Sequence, residues 1–112
     1  MDLLRSPQEY LFNLRTTSPG EAKRIWRREI REKWEHQCAY CGSEDNLTID
    51  HVVPQSKGGM DFTKNVVCCC HDCNQSKGHE HWKLWYVQQD FYSEERFDKI
   101  EEWMKPERPT NL

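Results

Sequence analysis

The spacing of hydrophobic residues is helical near both ends of the chain and strand-like in the middle. Two segments near the N terminus each begin with Ser-Pro and continue to a Glu, at Ser6–Glu9 and Ser18–Glu21. This order is typical of a helix start, with a hydroxyl cap and Pro in the first turn. Apolar residues then recur at intervals of three or four along the second segment. The pattern predicts helices over roughly 7–15 and 19–36.

The rest of the chain predicts short strands first and helices afterwards. In chain order we expect a strand over 47–53, a loop over 56–59, a strand over 65–69, a helix over 70–77, a helix over 79–89 and a helix from Ser93 to Pro106. The predicted class is α+β and mostly helical, with a ββα core and flanking helices at both ends. We expect one domain over 1–112, divided into N-terminal helices (1–36), core (37–78) and C-terminal helices (79–112).

Aromatic residues are concentrated in the C-terminal third of the chain. Their spacing is that of a helical core, so packing is favoured over a surface on which nucleic-acid bases stack. The residues concerned are Trp82, Trp85, Tyr86, Phe91, Phe97 and Trp103.

Composition excludes a disordered chain and a membrane span. Aromatic residues make up 12% of the 112 residues, whereas disordered chains contain few of them. No run approaches 18 apolar residues, and residues 1–17 lack the continuous apolar core of a secretory signal. We therefore expect a cytoplasmic protein.

Charge is distributed unevenly, although the formal net charge is only −3. Six Lys and Arg residues fall between Lys23 and Lys33, within the second predicted helix. Two interpretations stay open at about equal weight: a solvated helix face with ion pairs along it, or a face that contacts phosphates.

The six cysteines indicate a metal site. Two Cys-x2-Cys turns, Cys38–Cys41 and Cys70–Cys73, each present two sulfurs to one ion, and four thiolates make a closed structural zinc site. Cys68 and Cys69 are predicted to be small buried residues, because only Cys70 has the required spacing to Cys73. A disulfide framework is the less favoured alternative in a reducing compartment.

Several motifs lie in order between and around the two cysteine pairs. They are Cys38-x2-Cys41-Gly42, Ile49-Asp50-His51-Val52-Val53-Pro54, Ser56-Lys57-Gly58-Gly59, Asn65-Val66-Val67 and Cys70-x2-Cys73-Asn74-x2-Lys77-Gly78. Together they resemble the HNH endonuclease family, whose fold is a ββα-metal motif, and the resemblance covers residues 38–78.

This resemblance implies roles for four residues. His51 would be the general base, which suits an imidazole near neutral pH. Asp50 and Asn74 would hold a divalent cation, and Asn65 would orient the base through a loop hydrogen bond. Asn74 stands where the family name implies a final His, so this H-N-N variant favours Mg²⁺ or Mn²⁺, which prefer oxygen ligands.

Two further side chains near this set have alternative interpretations. Lys77 lies one helical turn beyond Asn74, where it would either contact a neighbouring DNA phosphate or be a solvated cation at a helix end. His71 lies inside the second Cys-x2-Cys turn and is a rival zinc ligand.

The predicted function is a metal-dependent DNA endonuclease that hydrolyses phosphodiester bonds. One centre per chain favours nicking, and a homodimer is one way to cut both strands. No motif that reads bases is recognisable, so we expect weak sequence specificity. The alternative is a non-catalytic zinc module that binds DNA or a protein partner, in which the Asp, His and Asn residues would be incidental.

Overall fold

A computed structural model describes residues 3–106 of the chain, so residues 1–2 and 107–112 of the predicted domain lie outside the described residues. The elements in chain order are helices α1 (Pro7–Phe12) and α2 (Pro19–Lys33), strands β1 (Leu47–His51) and β2 (Val66–Cys70), and helices α3 (His71–Lys77), α4 (Trp82–Tyr86) and α5 (Glu94–Met104). The predicted α+β class, with a ββα core between flanking helices, is confirmed.

Both N-terminal helices are shorter than predicted, because residues just beyond them adopt left-handed backbone conformations. Leu14 has φ +55°, which is incompatible with the helix predicted to residue 15. Glu35 and His36 have φ +58° and +55°, so α2 ends at Lys33 and the chain turns towards Cys38. The predicted boundaries at 15 and 36 were therefore wrong.

The predicted helix caps have a mixed outcome. The side chain of Ser18 accepts a hydrogen bond from the backbone N–H of Glu21, and that of Ser93 accepts one from Arg96. The side chain of Ser6 makes no such bond. The helix predicted over 79–89 is limited to Trp82–Tyr86, because His81 provides its N-terminal cap.

The two strands form an antiparallel hairpin with Asp50 opposite Val67 and His51 opposite Val66. All five residues of β2 are buried. Both strands differ slightly from the predicted ranges: β1 ends at His51 rather than at residue 53, and β2 is displaced by one residue towards α3. The strand therefore leads directly into α3, with Cys70 as the N-cap of that helix.

Aromatic side chains join the flanking helices to this core by hydrogen bonds from their polar atoms. The indole N–H of Trp26 in α2 donates to Thr63 Oγ1 at 2.9 Å, and that of Trp103 in α5 donates to the carbonyl of Val66 at 2.8 Å. Trp82, Trp85 and Tyr86 of α4 are buried. These contacts confirm packing as the role of most of the aromatic set, whereas Phe91 is 38% exposed.

Within residues 3–106, none of the helices combines the length and the apolar character needed to cross a membrane.

Candidate active site

Four sulfur atoms from the two Cys-x2-Cys turns lie together beside the hairpin. The Sγ atoms of Cys38, Cys41, Cys70 and Cys73 are all within 4.8 Å of one another. Those of Cys41 and Cys70 are 3.7 Å apart, close to the edge of about 3.8 Å in a tetrahedron with zinc–sulfur bonds of about 2.3 Å. The cluster can hold a zinc ion, and it is made of the four cysteines chosen from the sequence. We call these four residues the zinc frame.

The first turn of the zinc frame is shaped by Gly42 and covered by α5. Gly42 has φ +82°, and a Cβ there would lie 2.5 Å from Arg96 Nη2. Arg96 also donates from Nη1 to the carbonyl of Cys38 at 3.3 Å. The left-handed backbone therefore favours Gly after Cys41, and the guanidinium of Arg96 occupies the space beside it.

The remaining two cysteines are buried and do not belong to the four-sulfur cluster. Burial raises the pKa of Cys68 to about 11, so this thiol stays protonated. The pKa of Cys69 is also raised, first by a hydrogen bond to Cys38 and then by burial. His71, the rival ligand, is exposed and lies outside the cluster.

Asp50 and His51 diverge from the end of β1, as the alternation of strand residues predicts. Asp50 is 5% exposed and points towards the core. Its carboxylate accepts a hydrogen bond from the Tyr40 hydroxyl at 2.9 Å, and the Nζ atom of Lys77 lies 3.2 Å from Oδ2 and 3.3 Å from Oδ1. Burial raises the pKa of Asp50, while Lys77 and Tyr40 act in the opposite direction.

His51 lies on the other face of the strand and contacts a carboxylate that the sequence analysis did not identify. Its Nε2 atom is 2.7 Å from Oδ1 of Asp61. The same oxygen accepts a hydrogen bond from Gln55 Nε2 at 3.2 Å. The side chain of His51 is 23% exposed, so the ring is held on one side and open to solvent on another.

The segment between the strands, residues 53–65, carries Asp61, and we call it the base loop. Asn65 closes this loop: its Oδ1 accepts from the N–H of Val53 at 3.0 Å, and its Nδ2 donates to the carbonyls of Val53 and Met60, each at 3.1 Å. A Cβ on Gly59 would lie 1.7 Å from the carbonyl oxygen of Val53. The closed loop therefore requires both the Asn and the Gly.

Asn74 and Lys77 lie on α3, which packs against β1 and β2. The amide of Asn74 donates to the carbonyl of Ile49 at 3.4 Å, so its Oδ1 is the atom that would coordinate a cation. Lys77 is 1% exposed, and its Nζ also donates to the carbonyl of His51 at 3.1 Å. The interpretation of Lys77 as a solvated cation was wrong, because its ammonium is enclosed. A contact between Lys77 and a phosphate stays a prediction.

The donor types present fit a Mg²⁺ or Mn²⁺ ion, since a carboxylate and an amide oxygen are hard ligands that leave other positions to water and phosphate. Both oxygens of Asp50 are nevertheless within 3.3 Å of the Lys77 ammonium. An ion at Asp50 would therefore either share the carboxylate with Lys77 or displace its side chain.

A basic groove runs along α2 and approaches the His51–Asp61 pair. It is lined by Gly20, Lys23, Arg24, Arg27 and Arg31. At one end of it, Lys23 Nζ lies 3.8 Å from Asp61 Oδ2. Part of the basic cluster predicted from the sequence therefore lies next to the candidate base, a proximity that the sequence alone did not indicate.

Comparison with known proteins gives two matches over this part of the chain. Residues 38–83 match the family model described as HNH endonuclease. A stretch of 65 residues, 54% of this chain, is 40% identical to the CRISPR-associated endonuclease Cas9 of Corynebacterium diphtheriae. The chain spans 6% of the length of that relative.

Proposed function

We propose that the chain is a metal-dependent endonuclease that hydrolyses phosphodiester bonds in DNA, since residues 38–83 match the HNH endonuclease family. The observation that carries the proposal is the position of His51. Its ring is fixed by Asp61 at 2.7 Å and is partly exposed at the end of β1, one residue after Asp50. A fixed, accessible imidazole suits general base catalysis.

In the proposed reaction, His51 accepts a proton from a water molecule as the water oxygen bonds to phosphorus. The bond between phosphorus and the 3′ oxygen breaks, and the leaving oxygen takes a proton from solvent. The products carry 5′-phosphate and 3′-hydroxyl ends. Asp50 and Asn74 would hold the divalent cation, which when bound supplies positive charge that stabilises the phosphate and the leaving oxygen.

The zinc frame has a structural role in this proposal. Four buried or partly buried cysteines would supply all the ligands of a zinc ion and would leave no open position for substrate. The frame joins the first turn to the start of α3, and α3 carries Asn74 and Lys77. Zinc would therefore fix the helix against the strand that carries Asp50 and His51.

DNA would be bound mainly through its phosphates. The groove on α2 presents several cations, of which Lys23 lies close to Asp61, and no described element has the form of a base-reading module. We therefore propose weak sequence specificity and binding that falls steeply with salt concentration. One His51 per chain makes a single-strand nick the elementary event; two successive nicks or a homodimer would cut both strands. The proposed location is the cytoplasm of a bacterium, with a phage-encoded origin as the alternative.

A plasmid-nicking assay tests the catalytic assignment. We expect the zinc-loaded protein to convert supercoiled DNA to the open circular form with Mg²⁺ or Mn²⁺. The substitution His51→Ala should lower the rate by about 100- to 10,000-fold, the usual contribution of a general base. His71→Ala is the matched control, because His71 is exposed and outside the sulfur cluster. Equal rates for His51→Ala and wild type would reject the assignment.

One observation favours the alternative function, a non-catalytic zinc module. Asp50 is 5% exposed and is already paired with Lys77 and Tyr40, as a purely structural carboxylate would be. Under this alternative, the zinc-loaded wild type would bind DNA or a protein partner but would not nick DNA with either Mg²⁺ or Mn²⁺.

A further inference from the structure

Asp61 is the residue that restrains the ring of His51, and it makes three polar contacts. Its Oδ1 lies 2.7 Å from His51 Nε2 and accepts from Gln55 Nε2 at 3.2 Å. Its Oδ2 lies 3.8 Å from Lys23 Nζ. The carboxylate therefore faces groups that donate hydrogen bonds or carry positive charge.

An ionised carboxylate can only accept hydrogen bonds, and this fixes the tautomer of its partner. A neutral His51 must then carry its proton on Nε2, and Nδ1 carries the lone pair. We propose that Asp61 is a positioning residue for the base: its carboxylate holds the ring of His51 at Nε2 and leaves Nδ1 free to face the attacking water. This inference rests on the proposed function and adds to it the residue that orients the base.

The base loop explains how Asp61 reaches this position ten residues after His51 in the chain. Asn65 Nδ2 donates to the carbonyl of Met60, the residue directly before Asp61, and also to the carbonyl of Val53. Asn65 therefore orients the base indirectly: it closes the loop, and the closed loop places the carboxylate on the imidazole. This gives a physical route for the role that the family resemblance implies for Asn65.

A metal site is a poorer explanation of the same pair. Among the described residues, only the four cysteines form a group of three or more His, Cys, Asp or Glu residues with ligand atoms close together. The pair offers one carboxylate and one imidazole, and Oδ1 of that carboxylate already accepts a hydrogen bond from Gln55 Nε2. The geometry is that of an oriented imidazole, as in a carboxylate–histidine pair of a hydrolase.

The first test reads the tautomer directly, by ¹⁵N-resolved NMR of the His51 ring in zinc-loaded protein without DNA and without Mg²⁺. We expect a proton on Nε2, with a slowly exchanging N–H signal shifted by its hydrogen bond to the carboxylate. Asp61→Ala should abolish that signal. A wild-type ring protonated on Nδ1, or a ring signal unchanged in Asp61→Ala, would overturn the proposal.

The second test uses nicking kinetics with three variants. In Asp61→Ala, kcat should fall by about 10- to 100-fold, as for other hydrogen-bond partners that orient functional His residues, while KM stays within about twofold. Asp61→Asn should recover much of this loss, because two donors, from His51 and Gln55, select the amide oxygen at the position of Oδ1. Asp98→Ala, at an exposed residue of α5, is the matched control and should cut like wild type.

The outcomes separate this inference from the proposed function. If the wild type does not nick DNA, the proposed function fails, and the NMR measurement still decides the tautomer. If the wild type nicks DNA and Asp61→Ala nicks it equally fast, Asp61 has no positioning role and the endonuclease proposal stands. A loss of cooperative unfolding in Asp61→Ala without recovery in Asp61→Asn would also overturn the positioning role.

Discussion

The zinc frame and the base loop are two regions that fix the geometry of one site by different means. Two cysteines of the frame precede the hairpin in the chain and two lie at its end and in α3. Their sulfur atoms lie within 4.8 Å of one another in an interior that is mostly closed to solvent. The base loop exposes apolar side chains such as Met60 and Phe62, and is closed by the hydrogen bonds of one Asn. The frame sets where the elements lie, whereas the loop sets the orientation of one imidazole. Damage to the frame should therefore affect folding, and damage to the loop should affect mainly the reaction.

The largest expected effect is the loss of zinc. Cys70→Ser removes one zinc ligand but leaves a hydroxyl that can still cap α3, so its effect reports the loss of zinc. Structural zinc contributes about 10–16 kcal/mol in zinc-finger peptides, so we expect the core of this variant to lose cooperative unfolding. Zinc content by mass spectrometry and thermal unfolding by circular dichroism measure both consequences.

Cys68→Ser is the control for this prediction, because Cys68 is buried but outside the cluster. We expect one zinc per chain and a destabilisation of about 1–3 kcal/mol from the buried hydroxyl. If Cys68→Ser lost its zinc while Cys70→Ser retained it, the ligand set would be wrong and the zinc frame would have to be redefined.

The next largest effect concerns the buried ion pair between α3 and β1. Lys77→Met leaves the carboxylate of Asp50 in the core without its cation, which should lower the free energy of unfolding by about 3–5 kcal/mol. Lys83→Met is the matched control. Lys83 pairs with Glu101 at 2.6 Å, but both side chains are more than 40% exposed, so a loss of only about 0.2–1 kcal/mol is expected.

Chemical denaturation of the zinc-loaded protein, without Mg²⁺, compares the two Lys variants. Equal stability of Lys77→Met and Lys83→Met would mean that Asp50 is not held by Lys77 in solution. The carboxylate would then be free to bind a catalytic cation. Asp50 would be assigned to the reaction rather than to the stability of the core.

A smaller effect on stability, with a clear effect on the reaction, is expected in the base loop. Gly59→Ala places a methyl group 1.7 Å from the carbonyl oxygen of Val53, so the loop must open and Asp61 must leave His51. We expect kcat to fall by about 100-fold, equivalent to about 2.7 kcal/mol in the barrier, with zinc retained. Nicking rates and zinc content are the two measurements.

The adjacent Gly58 provides the control. Its φ is +90°, and a Cβ there would meet nothing within 4 Å, so Gly58→Ala introduces only left-handed backbone strain, of about 1 kcal/mol. If Gly59→Ala released zinc or unfolded the core, the distinction between the two regions would be wrong, because the base loop would then also be needed for folding.

The order of the elements and the four zinc cysteines could be predicted because they depend on local patterns. The periodicity of strands and helices, the Ser caps and the Cys-x2-Cys spacing can each be recognised in a segment of a few residues. The ends of α1 and α2 could not be predicted in this way. They are set by left-handed residues such as Leu14 and Glu35, whose side chains do not favour that conformation.

Asp61 and Lys77 were missed or misread for a different reason. Asp61 contacts His51 only because a loop of several residues folds back, and Gly58-Gly59 indicates such a loop without indicating which side chain returns. Lys residues are rarely buried, and the helical spacing that placed Lys77 on the face of Asn74 did not reveal that Asp50 lies opposite that face. Long-range pairing of charges has no local signal.

The smallest expected effect is on DNA affinity, and it concerns the basic groove of α2 rather than the zinc frame or the base loop. Arg27 lines the basic groove of α2, whereas Arg28 is exposed on the same helix outside it. Arg27→Glu should weaken DNA binding by about threefold to tenfold on unrelated sequences, and it should lower the salt dependence of binding by about one phosphate contact. Arg28→Glu makes the same change in charge but should have less effect on both quantities. Fluorescence anisotropy at several salt concentrations measures both quantities. Equal losses for the two variants would mean that DNA binding depends only on the net charge of α2. The groove, whose Lys23 lies 3.8 Å from Asp61, would then have no role in aligning a phosphate with His51.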